Sequence, residues 1–457
     1  MCILLKRASG PRRSAVCQAH LVAGDQHRRR LPRGWRWATA LTTISLVGVG
    51  FRLTYLALVG PHLTLGLDSI WYILEATSLA NSHHYSDPVL IFQGIHRPTA
   101  NFPPLYPLFL AVLYKVGATT THDYQVAGAC CGGATVVLTG LLGRRIGGPI
   151  VGLVAAGVVA VSPVLVATDA TVMSETIAVP LTVAVLLAAT WAAPSGSVPR
   201  WGLVGALAGL VALARGEAVG LAVVLVPVLV ISAPGVSLRR RLAQVGTVVG
   251  AAALVVAPWL IRNVEVFHPP VLLSSNLDSV LSGANCGPTY RGPMLGLWDF
   301  NCTDYSRRAV LGEARYSRQI GDRALHYAAD HAGRVPLVIG VRILRGWGLY
   351  RPAQQVRVEA VESRSIGWGQ FAWFGSMATL ALALPGMVSL RRRRLELAVV
   401  AGPAALATAV LALTWGDQRF VLTAVPALAV AAALSVVWLC HRVSFRRRRV
   451  ASTPDVP

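Results

Sequence analysis

Charge is scarce in this chain. Of 457 residues only 14% are Asp, Glu, Lys or Arg, well short of the quarter or so that a soluble domain carries. Lysine is nearly missing, with Lys6 and Lys115 its only representatives, and 20 acidic residues face 42 basic ones. Such a deficit excludes a soluble globular enzyme and an acidic disordered chain alike. Aliphatic residues fill the space: 54% of the chain is hydrophobic and the mean hydropathy is +0.56. Windows such as 147–167, 242–260 and 420–440 are long enough to cross a hydrocarbon core. They lack the alternation of a barrel strand, so they predict helices and an all-α, polytopic transmembrane bundle.

The formal charge of +22 does not point to nucleic acid, because the arginines fall in short runs between apolar spans instead of on one basic face. Arg144–Arg145, Arg200, Arg239–Arg241, Arg391–Arg394 and Arg446–Arg449 all fall on one side if spans run at about 37–60, 125–143, 147–167, 175–193, 201–215, 218–234, 242–260, 367–389, 396–414 and 420–440. That is the positive-inside pattern for about ten spans in a plasma membrane, with both termini cytoplasmic. The resulting division is a basic arm (1–36), an N-terminal membrane core (37–261) that includes a first outer loop (61–124), an outer segment or lid (262–366), C-terminal spans (367–441) and a basic tail (442–457). Residues 104–117, PLYPLFLAVLYKVG, are too short to cross and predict an interfacial helix.

This topology gathers Asp68, Asp169, Glu175, Arg215, Glu217, Arg262, Asp417 and Arg419 at the outer ends of spans. Charges of both signs at a membrane edge are costly unless paired or functional. In GLDSIWYILEA (66–76), helical spacing puts Asp68, Tyr72 and Glu75 on one stripe, apart from Ile70, Ile73 and Leu74. A carboxylate there can accept a proton from a hydroxyl that attacks a lipid-linked substrate at bilayer depth. Of the seven cysteines, only Cys286 and Cys302 face an oxidising compartment in this topology, and a bridge between them is predicted.

An Asp after the first span with Tyr72 and Ala76 behind it, then NFPPLYPL (101–108), LGRRIGG (142–148), DATVMSET (169–176) and GDQRFVLTAVP (416–426), resembles the GT-C glycosyltransferases. The nearest branch is the protein O-mannosyltransferase and aminoarabinose transferase type of actinobacteria, and the likeness covers roughly residues 40–440. It implies transfer of a mannose or another pentose or hexose from a polyprenyl-phosphate carrier to an extracytoplasmic acceptor, which is a protein, a cell-wall glycan or a glycolipid. Asp68 matches the acid of the family's first outer loop, the proposed base. A second acid often follows it there, whereas this chain has Ser69, so Glu75, Asp169, Glu175 and Glu217 are candidates for supporting acids. The lysine that precedes the Pro-Pro pair in the aminoarabinose branch is replaced by Phe102. Phosphate contact is therefore expected from Arg97, Arg215, Arg262 or Arg419, whose guanidinium forks match phosphate oxygens.

Some members of the family use a divalent metal. His83 and His84 are adjacent instead of at i, i+4, so no metal ligand is assigned. The competing reading is a lipid or solute transporter or flippase. It would show repeated halves and charges at the midplane, in place of charges at one face.

Overall fold

The computed structural model describes residues 33–450 apart from 92, 93, 196 and 232–234. The basic arm as far as residue 32, with Cys2 and Cys17, the side chains of Arg446 to Arg449, and the tail from 451 lie outside the described residues. The described chain is helical, and no extended strand forms in it. The helices of the first half are α1 (Arg33–Leu58), α2 (Leu67–Ser82), α3 (Leu105–Lys115), α4 (Thr121–Gly147), α5 (Pro149–Ala160), α6 (Pro163–Asp169), α7 (Glu175–Ala192), α8 (Val198–Ala214), α9 (Leu221–Ile231) and α10 (Leu238–Val266). Shorter helices follow, α11 (Asn276–Ala284), α12 (Glu313–Asp330), α13 (Val335–Gly346) and α14 (Pro352–Ala360), before α15 (Ile366–Ser389), α16 (Arg394–Leu413) and α17 (Val425–Val450).

Seven of these are long and apolar enough to cross a membrane, and α5 with α6 makes an eighth if the pair is one span bent by 58°. The remaining two predicted spans fall on the shorter apolar helices Val198–Ala214 and Gly216–Ile231. Local chemistry explains the boundaries. Thr120 and Asp123 cap α4 reciprocally, with Asp123 N–H to Thr120 Oγ1 at 3.2 Å and Thr120 N–H to Asp123 Oδ2 at 2.9 Å. Arg144 and Arg145 occupy its last turn, where the helix dipole favours cations. Gly148 then turns the chain at φ +89° and Pro149 starts α5 at a position that needs no N–H. Pro163 restarts the helix after the break in the same way.

The core lies where α4, α7, α8, α9 and α17 meet, around a fully buried Trp201 with Leu142, Leu186, Leu225 and Ala431. Two glycines allow close helix crossings: a Cβ on Gly205 would sit 2.2 Å from Val248 O, and one on Gly386 even closer to Ala431 O. Phe371, Phe374, Leu384 and Val388 of α15 are left exposed, as a lipid-facing surface requires.

The basic turns meet at one end of the bundle. Arg145 Nη2 donates to Thr190 O at 2.6 Å, Arg393 Nη1 donates to Ile146 O at 2.8 Å, and the Arg144 guanidinium lies 4.2 Å from the Trp37 ring. Residues 267–365 pack over the opposite end. There Cys286 and Cys302 are bonded, with Cα atoms 6.3 Å apart. In this segment Arg342 and Arg345 of α13 are buried and donate to Ala284 O (2.6 Å) and Leu295 O (2.7 Å), so they tie the disulfide loop down.

Candidate active site

Asp68 lies in the first turn of α2, where the positive end of the helix dipole favours a carboxylate. The start of α2 is fastened to the turn before α15: Gly66 N–H donates to Ser363 Oγ at 2.7 Å, and Ser363 takes a left-handed φ of +65° to reach it. The stripe behind Asp68 is buried against protein. Tyr72 packs on Phe102 and Tyr106 with ring centroids 4.6 and 4.9 Å away, and the NFPPLYPL stretch thereby props the helix. Asp68 itself keeps about a third of its side chain exposed (36%).

Arg419, just before α17, is the hub. Its Nη1 donates to Asp68 Oδ2 at 3.0 Å and to Glu362 Oε1 at 2.7 Å, while its Nε donates to Glu175 Oε1 at 2.7 Å. Asp417 caps the same turn by accepting from Arg419 N–H at 3.0 Å. Glu175, buried at the start of α7, is shared with Arg215, and Arg215 also donates to Glu217 from the turn after α8. Five of the residues singled out in the sequence, Asp68, Glu175, Arg215, Glu217 and Arg419, are thus brought into one cluster. Asp417, noted for its place at the membrane edge, joins them. Burial pushes the Asp417 carboxyl up to about 6 and that of Glu362 to about 7, against the opposing pull of Arg419. Charge-assisted donors held at such distances in a partly desolvated site are strong and directional.

The other candidates lie elsewhere. Asp169 ends α6 facing α1 and is taken up by a buried Arg52, whose Nε donates to its Oδ2 at 2.7 Å. Arg262 spends its guanidinium on Thr99 O (2.8 Å) and Tyr85 O (3.1 Å) and stacks over Trp259, so it ties α10 to the segment between α2 and α3. Arg97 is exposed and donates to Ala309 O at 2.9 Å. Glu75 is wholly buried two turns below Asp68, and burial pushes its carboxyl well above the usual carboxylate range. None of these four reaches the cluster.

Two charged side chains near Asp68 were not singled out in the sequence. Glu362 sits in the VESRS stretch directly before α15, a membrane-edge charge of the kind that singled out the others, hidden by its place at the end of a long polar segment. Arg308 is the second. It bonds Glu313 at 2.8 Å and Asp87 at 3.1 Å, and its guanidinium lies 5.2 Å from the Trp71 ring, one helical turn from Asp68. No periodic signal marks it.

The carboxylates converge on a guanidinium and do not face a shared void. Among the described residues no group of three or more His, Cys, Asp or Glu could hold a metal ion. The residues present therefore do not fit a resident divalent cation, which would have to take the place of Arg419. Arg419 Nη2 donates to no carboxylate among the described residues. An apolar cleft lined by Ala178, Thr182, Val211, Leu406 and Val410 runs up to Arg215 and Arg419.

Residues 101–261 match the family model described as dolichyl-phosphate-mannose-protein mannosyltransferase. No curated protein sequence matches the chain. Among solved structures, the chain is similar to the oligosaccharyltransferase of Archaeoglobus fulgidus in the apo form (TM-score 0.54, 12% identity, 91% of this chain and 52% of that one). The same enzyme, AglB, in complex with an inhibitory peptide and a dolichol-phosphate, is matched at TM-score 0.54 and 15% identity, over 93% of this chain and 53% of that one. ArnT from Cupriavidus metallidurans bound to undecaprenyl phosphate superposes at TM-score 0.43 with 14% identity, over 92% and 82% of the two chains. The chain spans about half the length of the oligosaccharyltransferase it matches. The protein is accordingly a polytopic helical membrane protein of the GT-C fold shared by membrane glycosyltransferases.

Proposed function

We propose that the protein is a membrane glycosyltransferase that moves a sugar from a polyprenyl-phosphate carrier to an extracytoplasmic acceptor, with Asp68 as base. One observation carries this reading: a part-exposed carboxylate in the first turn of a helix, held by Arg419 at the end of the bundle opposite the basic turns. The acceptor hydroxyl attacks the anomeric carbon, the bond from that carbon to the phosphate oxygen breaks, the carrier phosphate leaves with the electron pair, and the hydroxyl proton passes to Asp68. Phosphate is a good leaving group, so the protein has to align the acceptor and neutralise charge on the departing oxygen. Arg419 Nη2 and Arg215 supply that positive charge.

The match to a dolichyl-phosphate-mannose family and the likeness to a protein solved with dolichol-phosphate support the carrier class. A mannosyl or aminoarabinosyl preference, and a protein or glycan acceptor, belong to the same proposal. The test is Asp68→Asn in membranes supplied with a panel of polyprenyl-phosphate hexoses and pentoses. Transfer falls by about 10²-fold or more, the size of a general-base contribution, while membrane expression is unchanged. Near-normal turnover by the variant sinks the assignment of Asp68.

A further inference from the structure

Asp68 and Glu362 both accept from Arg419 Nη1, at 3.0 and 2.7 Å, which places their oxygens no farther apart than the two bonds laid end to end. The contact is built by design of the chain and is not an accident of two long side chains. Glu362 is carried on the turn that Ser363 pins to Gly66, and a Cβ on Gly66 would meet Glu362 Cα at 3.2 Å and Val361 O at 3.3 Å, so glycine eases the close approach of the start of α2. Glu362 Oε2 is buried and has no hydrogen-bond partner, and one oxygen of the pair is therefore left unspent inside the site.

We infer that Glu362 is the second acid of the site, a positioning residue that acts on Asp68 through Arg419. When Glu362 is ionised, it draws Arg419 Nη1 away from Asp68 and adds a like charge beside it. Both effects raise the affinity of Asp68 for the acceptor's proton. When Glu362 is protonated, Arg419 falls to Asp68 alone and the base weakens. The groups facing Glu362 are Arg419 and Asp417 from the turn before α17, Asp68 from α2, and Arg364 and Glu359 from its own segment, with Glu175 across Arg419. Burial first, and then Asp417 and Asp68, push its carboxyl up to about 7 against Arg419, so the switch lies within the physiological range. This inference rests on the glycosyl-transfer reading proposed above.

The experiment compares wild type, Glu362→Gln, Glu362→Asp and Asp68→Asn, each as the full chain in membranes, with the same panel of polyprenyl-phosphate sugars between pH 6 and 8. Wild type should gain rate as the pH rises through about 7. Glu362→Gln should express normally, keep the donor KM within a factor of about two, lose about tenfold in kcat at pH 8, and show a flat profile. Glu362→Asp should recover part of both the rate and the slope. A wild-type rate and slope in Glu362→Gln, with Asp68→Asn inactive, overturns the role of Glu362 and leaves glycosyl transfer standing. No transfer by wild type from any donor of the panel overturns the functional reading, and the role of Glu362 with it.

Discussion

Asp169 offers a sharp separation of stability from chemistry. The sequence alone made it a candidate supporting acid, yet the structure pairs it with Arg52 inside the bundle, the two side chains being 8% and 1% exposed. Asp169→Asn removes the charge but keeps an amide oxygen for Arg52 Nε. Arg52 still donates from Nη1 to Gly48 O and Ala160 O at 3.0 Å, and those two acceptors soften the loss without cancelling a buried positive charge. Breaking a buried pair by removing one partner costs about 3–5 kcal/mol, and the surviving bonds argue for the lower end. Relief by rotation is blocked, because a Cβ on Gly132 would already lie 2.1 Å from Arg52 Nε and 2.2 Å from Asp169 Oδ2, so no space remains on that side. In detergent the Asp169→Asn protein should therefore melt several degrees below wild type, whereas transfer per folded molecule is unchanged. The pair Arg52→Met with Asp169→Leu should recover most of the loss, since apolar replacement of a buried pair is often neutral or better. Wild-type melting with abolished transfer would refute the reasoning and return Asp169 to the acids of the site.

Two further outcomes follow from the outer segment. The Cys286–Cys302 bond closes a loop of 16 residues, worth roughly 3 kcal/mol by chain entropy; mass mapping of non-reduced peptides should find it, and Cys286→Ser with Cys302→Ser should melt lower, whereas two free thiols in protein from an oxidising envelope would contradict it. In a cysteine-free background, a cysteine at exposed Ser306 should react with an impermeant reagent in intact cells and one at exposed Ser237 should not; the reverse pattern would invert the proposed orientation and move the acidic cluster to the cytoplasm.

The helices were legible because long apolar windows, glycine and proline punctuation and arginine turns are local signals, and each predicted span falls on a helix except 147–167, which falls on the bent pair α5 and α6. The kink at Pro163 was not foreseen, because a proline within an apolar run marks a break without giving its angle. The cluster was legible in part. Position at a membrane edge singled out Asp68, Glu175, Arg215, Glu217 and Arg419, since charges there need partners. The same rule could not say which partner each one takes. Arg262 finds carbonyls of the segment between α2 and α3 and Asp169 finds Arg52, and both choices depend on which helices cross, a property that no residue's own neighbourhood encodes. Glu362 escaped because the segment before α15 was assigned as a lid, so its last residues were not weighed as part of a membrane edge.

The distribution of the cluster along the chain bears on what a family match can show. The matched segment, 101–261, holds Glu175, Arg215 and Glu217 but neither Asp68 nor Glu362 nor Arg419. It contains the buried half of the ion network, the Glu175–Arg215 pair that sits beside the apolar cleft, and the helices that frame it. The remaining members come from the flanks: Arg419 reaches Glu175 across 244 residues and Asp68 across 351. A charge-assisted contact over such separations forms only after the loop entropy between its ends has been met by packing elsewhere. Arg419 can hold Asp68 at the mouth only when α17 has docked on the bundle and the turn at Ser363 has caught Gly66. The proposed base Asp68, its proposed partner Glu362 and Arg419 thus depend on packing between segments outside the matched core, so a match over 101–261 carries no information about them.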